Sequence, residues 1–188
     1  PKYVSKFDNK VHSEFDQFGT VTGRFSSRDP NLQNIPKPSI KEVNIRTAFV
    51  PDADKQFVAF DYSQQELRIL AHLSGDKTML EVFNSGGDIH VSTAMKMFNK
   101  KQSEIDSKDR AMGKLINFSV IYGLTSYGLA ERLKVAVSEA TEFIDSYFQI
   151  YEGIKQYRDK VYADAARDGY VENMFGRRRS AIGIDSKN

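Results

Sequence analysis

Residues 56–68 read Gln-Phe-Val-Ala-Phe-Asp-Tyr-Ser-Gln-Gln-Glu-Leu-Arg. The stretch opens with a short apolar run, rich in aromatic and β-branched side chains, that ends in the carboxylate of Asp61. Such a run predicts a strand buried on both faces. Ser63 and Glu66 then have the S-x-x-E spacing of a capping box, which predicts a helix continuing to about residue 74. A buried strand that leads into a helix therefore organises this part of the chain.

The segments on either side of this stretch differ in character. Upstream, glycines and prolines punctuate short β-rich stretches at Lys10–Phe15 and Arg46–Val50. Downstream, apolar periodicity and stop signals predict helices at about 89–98, 107–122 and 138–168, the last either continuous or broken at Gly153, and then a return strand at 170–175. Strands followed by helices and a final strand predict an α+β fold.

Composition narrows the class of protein. The chain has 188 residues, 40% hydrophobic and 28% charged, which is ordinary for a soluble globular protein. It has neither an apolar run of about 20 residues nor a signal-peptide pattern, so we expect no membrane partner. The absence of cysteine excludes disulfides and thiolate metal sites and fits a cytoplasmic location.

The formal net charge of +2 excludes a uniformly basic nucleic-acid-binding protein, so any nucleic-acid surface must be local. Positive charge gathers at Lys108, Arg110 and Lys114 and again at residues 177–179, away from acidic residues such as Asp61. Separate basic and acidic regions suit a site where metal-binding carboxylates face phosphates. Chance scatter of charges over a solvated surface would give the same pattern.

Asp61 has a position suited to metal binding, because the end of a buried strand holds a carboxylate rigidly at an open edge. Carboxylate oxygens are ligands for Mg²⁺, and phosphoryl transfer depends on such metals for charge neutralisation and positioning. An aspartate that starts a turn or caps a helix would look the same.

The sequence from Asp61 to Arg68 closely resembles the DYSQIELR block of family A DNA polymerases, the bacterial DNA polymerase I type. The resemblance implies that Asp61 binds both catalytic magnesium ions, with the Tyr62 carbonyl as a further ligand. It also implies that Glu66 closes the sugar pocket against a 2′-OH. Gln65 departs from the usual isoleucine and is reminiscent of phage members of the family.

Arg110, Lys114, Phe118 and Tyr122 are spaced by four, so on a helix they form one stripe about 18 Å long. Two cations followed by two aromatic rings match the polarity of a nucleoside triphosphate, with phosphates at one end and a flat base at the other. An ordinary helix with a buried aromatic face and cations reaching solvent gives the same spacing.

Residues 110–123 also match the R-x₃-K-x₃-F-x₃-Y-G signature of the family A fingers helix. The resemblance implies triphosphate binding by Arg110 and Lys114, with Lys114 as the general acid for the leaving pyrophosphate. Phe118 in place of tyrosine implies discrimination against dideoxynucleotides. Gly113 replaces the usual alanine, at a cost of about 1 kcal/mol of helix stability.

The segment Gly87–His90 resembles the family's D-I-H block, whose histidine reaches the β-phosphate, although a histidine in the first turn of a helix is often structural. The nucleotide-binding set implied by the resemblance is Gln64, Glu66, His90, Arg110, Lys114, Phe118 and Tyr122.

Residues 22–36 resemble the family's T-G-R-x-S-S-x-x-P-N-L-Q-N-I-P segment, which offers an arginine and three amides suited to minor-groove and backbone atoms. A polar surface loop is the alternative. Residues 170–179 resemble Y-V-E-T-x-F-G-R-R-R, whose arginines have either a template-binding or a structural role. The resemblance implies DNA contacts by Arg24, Asn31, Gln33, Asn34, Tyr122, Gly123 and Arg178, with Arg24 at the primer terminus.

Together these blocks cover about residues 11–179 in the family's order. They imply a template-directed DNA polymerase that transfers a nucleotide from dNTP to a primer 3′-OH with two Mg²⁺ ions. We expect residues 1–75 to form part of the palm, 76–168 the helical fingers, and 169–188 a return toward the palm. Asp61 and the stripe on the fingers helix should face each other across a gap sized for one dNTP.

The family's second metal-binding carboxylate lies in a His-Asp-Glu block downstream of the G-R-R-R segment, and this chain has no His-Asp pair. We therefore expect a fragment that lacks that carboxylate, the N-terminal thumb and the C-terminal palm, with little activity by itself. A non-catalytic nucleic-acid-binding module is the main alternative, and a metal-dependent nuclease is a weaker one.

Overall fold

A computed structural model of the chain describes residues 2–36 and 44–182. The chain divides into two compact units, residues 1–61 and 62–188. In the described residues, each unit contains one two-stranded antiparallel sheet, and the α-helices belong to the second unit. The predicted α+β class is confirmed, with much more helix than strand. None of the described helices combines the length and apolar character needed to cross a membrane.

The first unit is built around a hairpin of β1 (Glu14–Asp16) and β2 (Ser26–Arg28), with Phe15 opposite Ser27. Only the end of the predicted β-rich stretch 10–15 is therefore a strand. Residues 46–50, also predicted to be β-rich, instead lie mostly in a 3₁₀ turn, Ile45–Ala48. The Asn44 side chain accepts from the backbone N–H of Arg46, and such local bonds compete with strand formation.

The prediction of a buried strand at 56–61 is wrong. This segment is extended but pairs with no strand among the described residues, and Phe57, Val58 and Phe60 are exposed. A strand can bury both faces only when neighbouring strands satisfy its backbone and other layers cover its side chains. The apolar pattern therefore indicates side chains suited to burial, but these side chains are exposed in the described part of the chain.

The second unit contains helices α1 (Gln65–Ser74), α2 (Lys77–Asn84), α3 (Ile89–Phe98), α4 (Ser107–Ile121), α5 (Ser126–Leu133), α6 (Val137–Ile150) and α7 (Glu152–Asp168). The predicted helices at 64–74, 89–98 and 107–122 are confirmed within a residue at each end. The short helices α2 and α5 were not predicted.

The N-terminus of α1 differs from the predicted capping box. Gln64 occupies the cap position in a left-handed conformation with φ 55°, and no side chain caps the helix. The Ser63 carbonyl instead accepts a hydrogen bond from Nε of Arg68. Glu66, the expected partner of Ser63, is hydrogen-bonded to Tyr122. The tertiary hydrogen bond between Tyr122 and Glu66 has thus replaced the local capping bond expected between Ser63 and Glu66.

The long helical stretch breaks at Tyr151, between α6 and α7, and not at Gly153. Tyr151 has φ −117° and ψ 65°, and its side chain is fully buried. Gly153 serves a close approach, since a Cβ there would lie 2.7 Å from the Cα of Asp76. Its N–H donates to Oδ2 of Asp76, which ties the start of α7 to the cap of α2.

The main core lies among α1, α2, α3, α4, α6 and α7, and its largest fully buried side chains include Leu67, Met79, Ile89, Ile116, Tyr147 and Tyr151. A smaller cluster lies between α5 and α6, around Leu129 and Ala140. Beyond Gly169, which ends α7 with φ 73°, β3 (Tyr170–Glu172) pairs antiparallel with β4 (Arg178–Ser180). The predicted return strand is thus real but shorter than expected.

Candidate active site

Helices α3 and α4 approach each other closely at Gly113. A Cβ at this position would lie 2.3 Å from the carbonyl oxygen of His90 and 3.2 Å from the backbone nitrogen of Ala94. The glycine that departs from the family's alanine therefore permits this close approach of the two helices. It brings the start of α3, with His90, against the middle of α4.

The four-residue stripe of α4 runs along one edge of this helix pair. The Lys114 ammonium lies 5.8 Å from the Phe118 ring centroid, and the Phe118 and Tyr122 rings stack with centroids 6.1 Å apart at 14°. Arg110 and Lys114 are exposed, Phe118 is half-buried, and Tyr122 is 63% exposed. The exposure of Tyr122 argues against the alternative in which both aromatic residues belong to the core.

Arg110 is held at the end of the stripe by Asp88. Its Nε donates to Oδ2 of Asp88 at 2.8 Å, while Oδ1 of the same carboxylate accepts from the backbone N–H groups of His90 and Val91 and so caps α3. Burial raises the pKa of Asp88, but the bonds from Arg110 and from these two N–H groups outweigh it, so the pKa lies below its usual value. An ionised Asp88 thus orients both Arg110 and the start of α3.

His90 is buried beside the stripe, only 3% exposed, with its ring 5.8 Å from that of Phe118. Burial lowers its pKa from the ordinary value of 6.5, and the positive charges of Arg110 and Lys114 lower it further against the opposing effect of Asp88. His90 is therefore an uncharged imidazole at neutral pH. The structure brings this residue together with Arg110, Lys114 and Phe118, and nucleotide binding by these residues stays a prediction.

Behind His90 lies a buried polar cluster that the motifs do not reveal. It consists of Asn117 from α4, Thr93 from α3, Tyr147 from α6 and Tyr151 at the α6–α7 break, all fully buried. The Asn117 amide contacts Nδ1 of His90 at 3.3 Å. One sequence signal was available: Asn117 lies between Ile116 and Phe118, where an amide facing the core needs polar partners.

Glu66 and Tyr122 meet directly. The Tyr122 hydroxyl donates to Oε2 of Glu66 at 2.7 Å, so the predicted sugar-pocket residue contacts the aromatic end of the stripe. Gln64, from the same block, has a side-chain carbonyl oxygen that is buried without a hydrogen-bond partner among the described residues. Gly123 follows Tyr122 with φ 64° and turns the chain out of α4.

Asp61 is exposed and ends the first unit, and the exposed Tyr62 begins the second. A carboxylate and a backbone carbonyl are both hard oxygen donors, so this pair suits Mg²⁺ but supplies only part of the six ligands that the ion takes. Within residues 2–36 and 44–182, no group of three or more His, Cys, Asp or Glu side chains could hold a metal ion. Metal binding at Asp61 and Tyr62 stays a prediction.

The predicted DNA-contacting residues of the first unit flank β2. Arg24 precedes this strand and is exposed, as are Asn31, Gln33 and Asn34 after it. The loop after β2 is fixed by Ser27, whose hydroxyl accepts from Leu32 N–H. The Asn31 side chain accepts from Gln33 N–H at 3.0 Å and starts a 3₁₀ turn.

The loop is also tied to Ser13, the residue that precedes β1. The Ser13 hydroxyl donates to the Pro30 carbonyl at 2.8 Å and lies 2.6 Å from the Ser27 hydroxyl. These bonds give the polar loop a defined conformation, and its contact with DNA stays a prediction.

Arg178 lies on β4 and braces the second hairpin. Its guanidinium pairs with Glu172 and lies 4.5 Å from the centroid of the Tyr170 ring, both on β3. These contacts account for Arg178 structurally, and a contact with template DNA stays a prediction.

Comparison with known proteins gives the family. Residues 1–188 match the family described as DNA polymerase family A. The chain is 44% identical over 182 residues to DNA polymerase I of Lactococcus lactis subsp. lactis, covering 96% of this chain and 21% of that protein. It is 44% identical over 187 residues to the thermostable DNA polymerase I of Thermus thermophilus, covering 100% of this chain and 22% of that protein.

A solved structure agrees in fold. The POL domain of Pol1 from M. smegmatis, in complex with DNA primer-template and dNTP, matches with a TM-score of 0.86 and 38% identity, over 99% of this chain and 33% of that chain. The chain spans about a fifth of the length of the curated relatives named above. Because the family match extends over every residue, the chain belongs to the family A DNA polymerases.

Proposed function

We propose that the chain is part of a template-directed DNA polymerase and contributes most of its dNTP-binding surface. The observation that carries this proposal is the edge of α4, where two exposed cations lead into two stacked aromatic rings with His90 alongside. This order of charge and aromatic surface fits a nucleoside triphosphate from its phosphates to its base.

Each end of this edge has its own task. Arg110, oriented by Asp88, and Lys114 neutralise the triphosphate, and the uncharged His90 donates a hydrogen bond to it. Lys114 delivers a proton to the pyrophosphate as it leaves. Phe118 packs on the sugar and base, and Tyr122 with Gly123 lies next to the template base.

Glu66 selects the sugar. Its carboxylate is fixed by the Tyr122 hydroxyl, so the pocket wall is set by a hydrogen bond between α1 and α4. A 2′-OH directed at this wall would collide with it or disturb that bond. Gln64, from the same segment, is a further member of the proposed nucleotide-binding set.

Asp61 and the Tyr62 carbonyl are the residues that would hold Mg²⁺. When bound, two such ions stabilise the attacking and leaving oxygens of an in-line displacement. Asp61 would provide one carboxylate to these ions, and the second belongs to the family's His-Asp-Glu block, which these 188 residues do not include. We therefore expect catalysis only in a polypeptide that carries both carboxylates.

Primer–template DNA is the second proposed partner. Arg24 contacts the primer terminus, and Asn31, Gln33 and Asn34 contact backbone and minor-groove atoms that hardly vary with sequence. The M. smegmatis Pol1 structure, described as a complex with DNA primer-template and dNTP, supports both partners. In this proposal residues 1–75 belong to the palm, 76–168 to the fingers, and 169–188 return toward the palm.

Primer extension by the intact polymerase tests the proposal. We expect Asp61→Ala to abolish extension with Mg²⁺, and Lys114→Ala to lower kcat/KM for dNTP by about a thousandfold, in the range of general acid catalysis. Lys96→Ala, which removes an exposed lysine from α3, is the matched control and should retain normal activity. The isolated 188-residue chain should not extend a primer.

Two results would contradict the proposal. Extension by the isolated chain that Asp61→Ala does not affect would remove the metal role. DNA binding that depends on Arg24, with no extension by the intact polypeptide, would instead support the non-catalytic nucleic-acid-binding module.

A further inference from the structure

The orientation of the buried Asn117 amide is fixed by its neighbours. Nδ2 lies 2.9 Å from the Gly113 carbonyl oxygen, which can only accept, and Oδ1 accepts from the Tyr147 hydroxyl at 3.1 Å. Turning the amide over would place Oδ1 against the Gly113 carbonyl and leave two buried oxygens facing each other. The amide nitrogen therefore lies on the side of His90.

Thr93 and Tyr151 reinforce this arrangement. The Thr93 hydroxyl donates to the Ile89 carbonyl at 2.8 Å, so it accepts from Nδ2 of Asn117 at 2.9 Å and from the Tyr151 hydroxyl at 2.8 Å. The donors and acceptors of this buried network are thus mutually consistent. Rearranging one member would leave another without a partner in a buried site, which costs about 1–3 kcal/mol.

The consequence reaches the His90 ring. Both hydrogens of the Asn117 amide nitrogen are directed to the Gly113 carbonyl and the Thr93 hydroxyl, each at 2.9 Å, and this nitrogen has no lone pair to offer. A proton on Nδ1 of His90, 3.3 Å from the same nitrogen, would therefore find no acceptor there. A neutral imidazole without a proton on Nδ1 carries its hydrogen on Nε2. Nε2 makes no hydrogen bond with any residue in the described part of the chain.

We infer that Asn117 is a positioning residue that fixes His90 as the Nε2–H tautomer, so that the ring presents a neutral N–H donor to a nucleotide phosphate. The phosphate part of this inference rests on the proposed function, whereas the tautomer rests on the buried network alone. A proton on Nδ1 would face the Asn117 amide nitrogen, which offers it no acceptor. The charged groups that act on the ring are Asp88, Arg110 and Lys114, and the two cations oppose a second proton.

NMR of the ¹⁵N-histidine-labelled 188-residue chain tests the tautomer directly. The chain has three histidines, His12, His72 and His90, and the His90 signals are identified by their loss in His90→Gln. At neutral pH the parent chain should show the Nε2–H pattern. Asn117→Asp places an acceptor opposite Nδ1 and should move the proton to Nδ1 or produce the imidazolium.

Tyr151→Phe is the matched control, because it removes one hydroxyl from the same network without touching the contact with His90. It should keep the Nε2–H form. An Nδ1–H pattern in the parent chain would overturn the inference even if Asn117→Asp failed to fold. A change of equal size in Tyr151→Phe would also overturn it, since any disturbance of the core would then be sufficient.

Kinetics of the intact polymerase test the link to phosphate. Losing a hydrogen bond to a charged group should raise KM for dNTP about tenfold in Asn117→Asp, and the double variant with His90→Gln should be no worse than His90→Gln alone. A changed tautomer with an unchanged KM would contradict the proposed phosphate contact of His90 and still support the role of Asn117.

Discussion

The Tyr122 hydroxyl donates a hydrogen bond of 2.7 Å to Oε2 of Glu66 and so links the C-terminal end of α4 to the first turn of α1. The two residues are 56 positions apart and belong to different sequence blocks. Glu66 belongs to the block at residues 61–68 and Tyr122 to the four-residue stripe of α4. The residue spacing within either motif does not predict a contact between them. The bond joins the proposed sugar-selecting residue to the proposed template-side aromatic ring.

A double-mutant cycle should detect this bond. Tyr122→Phe and Glu66→Ala should each lower the free energy of unfolding, with a coupling energy of about 0.5–1.5 kcal/mol, because a hydrogen bond at an exposed site contributes modestly. Urea unfolding of both single variants and the double variant measures the coupling. Tyr127→Phe, at an exposed tyrosine on α5, is the control and should change stability little. Additive single effects would mean that the bond contributes nothing in solution.

Glu66→Ala in the intact polymerase should relax the choice of sugar. Removing the carboxylate opens space for a 2′-OH, so the ratio of kcat/KM for dNTP over rNTP should fall by at least about tenfold, equivalent to about 1.4 kcal/mol. Single-nucleotide incorporation with each substrate measures the ratio. Equal rejection of ribonucleotides by variant and parent would mean that a residue other than Glu66 excludes the 2′-OH.

Phe118→Tyr should ease the incorporation of dideoxynucleotides. A hydroxyl on this ring can replace the contact that the missing 3′-OH would have made, whereas phenylalanine offers none. We expect the preference for dNTP over ddNTP to fall about tenfold or more, as expected for recovering a hydrogen bond to a buried polar group. Competition between the two substrates in primer extension provides the measurement. An unchanged ratio would place Phe118 away from the sugar.

The sequence predicted local structure well where the signal was local. The stripe on α4 and the bounds of α3 depend on spacing within one helix, and both are present in the structure. The strand at 56–61 was wrong because a buried strand needs partner strands elsewhere in the chain. The cap at Ser63 was a local signal, but Glu66 is hydrogen-bonded to the distant Tyr122 instead. The buried network around Asn117 was missed for the same reason, since its members come from several helices and from a break between two of them.

Gly113→Ala should destabilise the chain although alanine is the better helix former. The gain in helix propensity is about 1 kcal/mol, but the new Cβ would lie 2.3 Å from the His90 carbonyl oxygen, and forcing α3 and α4 apart costs about 1–3 kcal/mol. Thermal or urea unfolding measures whether the free energy of unfolding falls or rises in Gly113→Ala. Gly128→Ala on α5 is the matched control, because its nearest neighbour is the flexible end of Leu124. Equal stabilisation of both variants would show that the helices separate without cost.

Stability should depend on pH through His90. Its pKa is lowered in the folded chain from the ordinary 6.5, chiefly by burial, so the unfolded chain takes up a proton first as the pH falls. The unfolded state then binds more protons, and the free energy of unfolding must decrease below about pH 6.5 until the folded pKa is reached.

The lowered pKa of Asp88 acts in a different pH range, since the stability that it contributes is lost only as the pH falls below the ordinary 3.8. Urea unfolding between about pH 5 and pH 8 should therefore show a rise in stability that is reduced in His90→Gln. A variant profile as steep as that of the parent would mean that His90 is not the group that titrates.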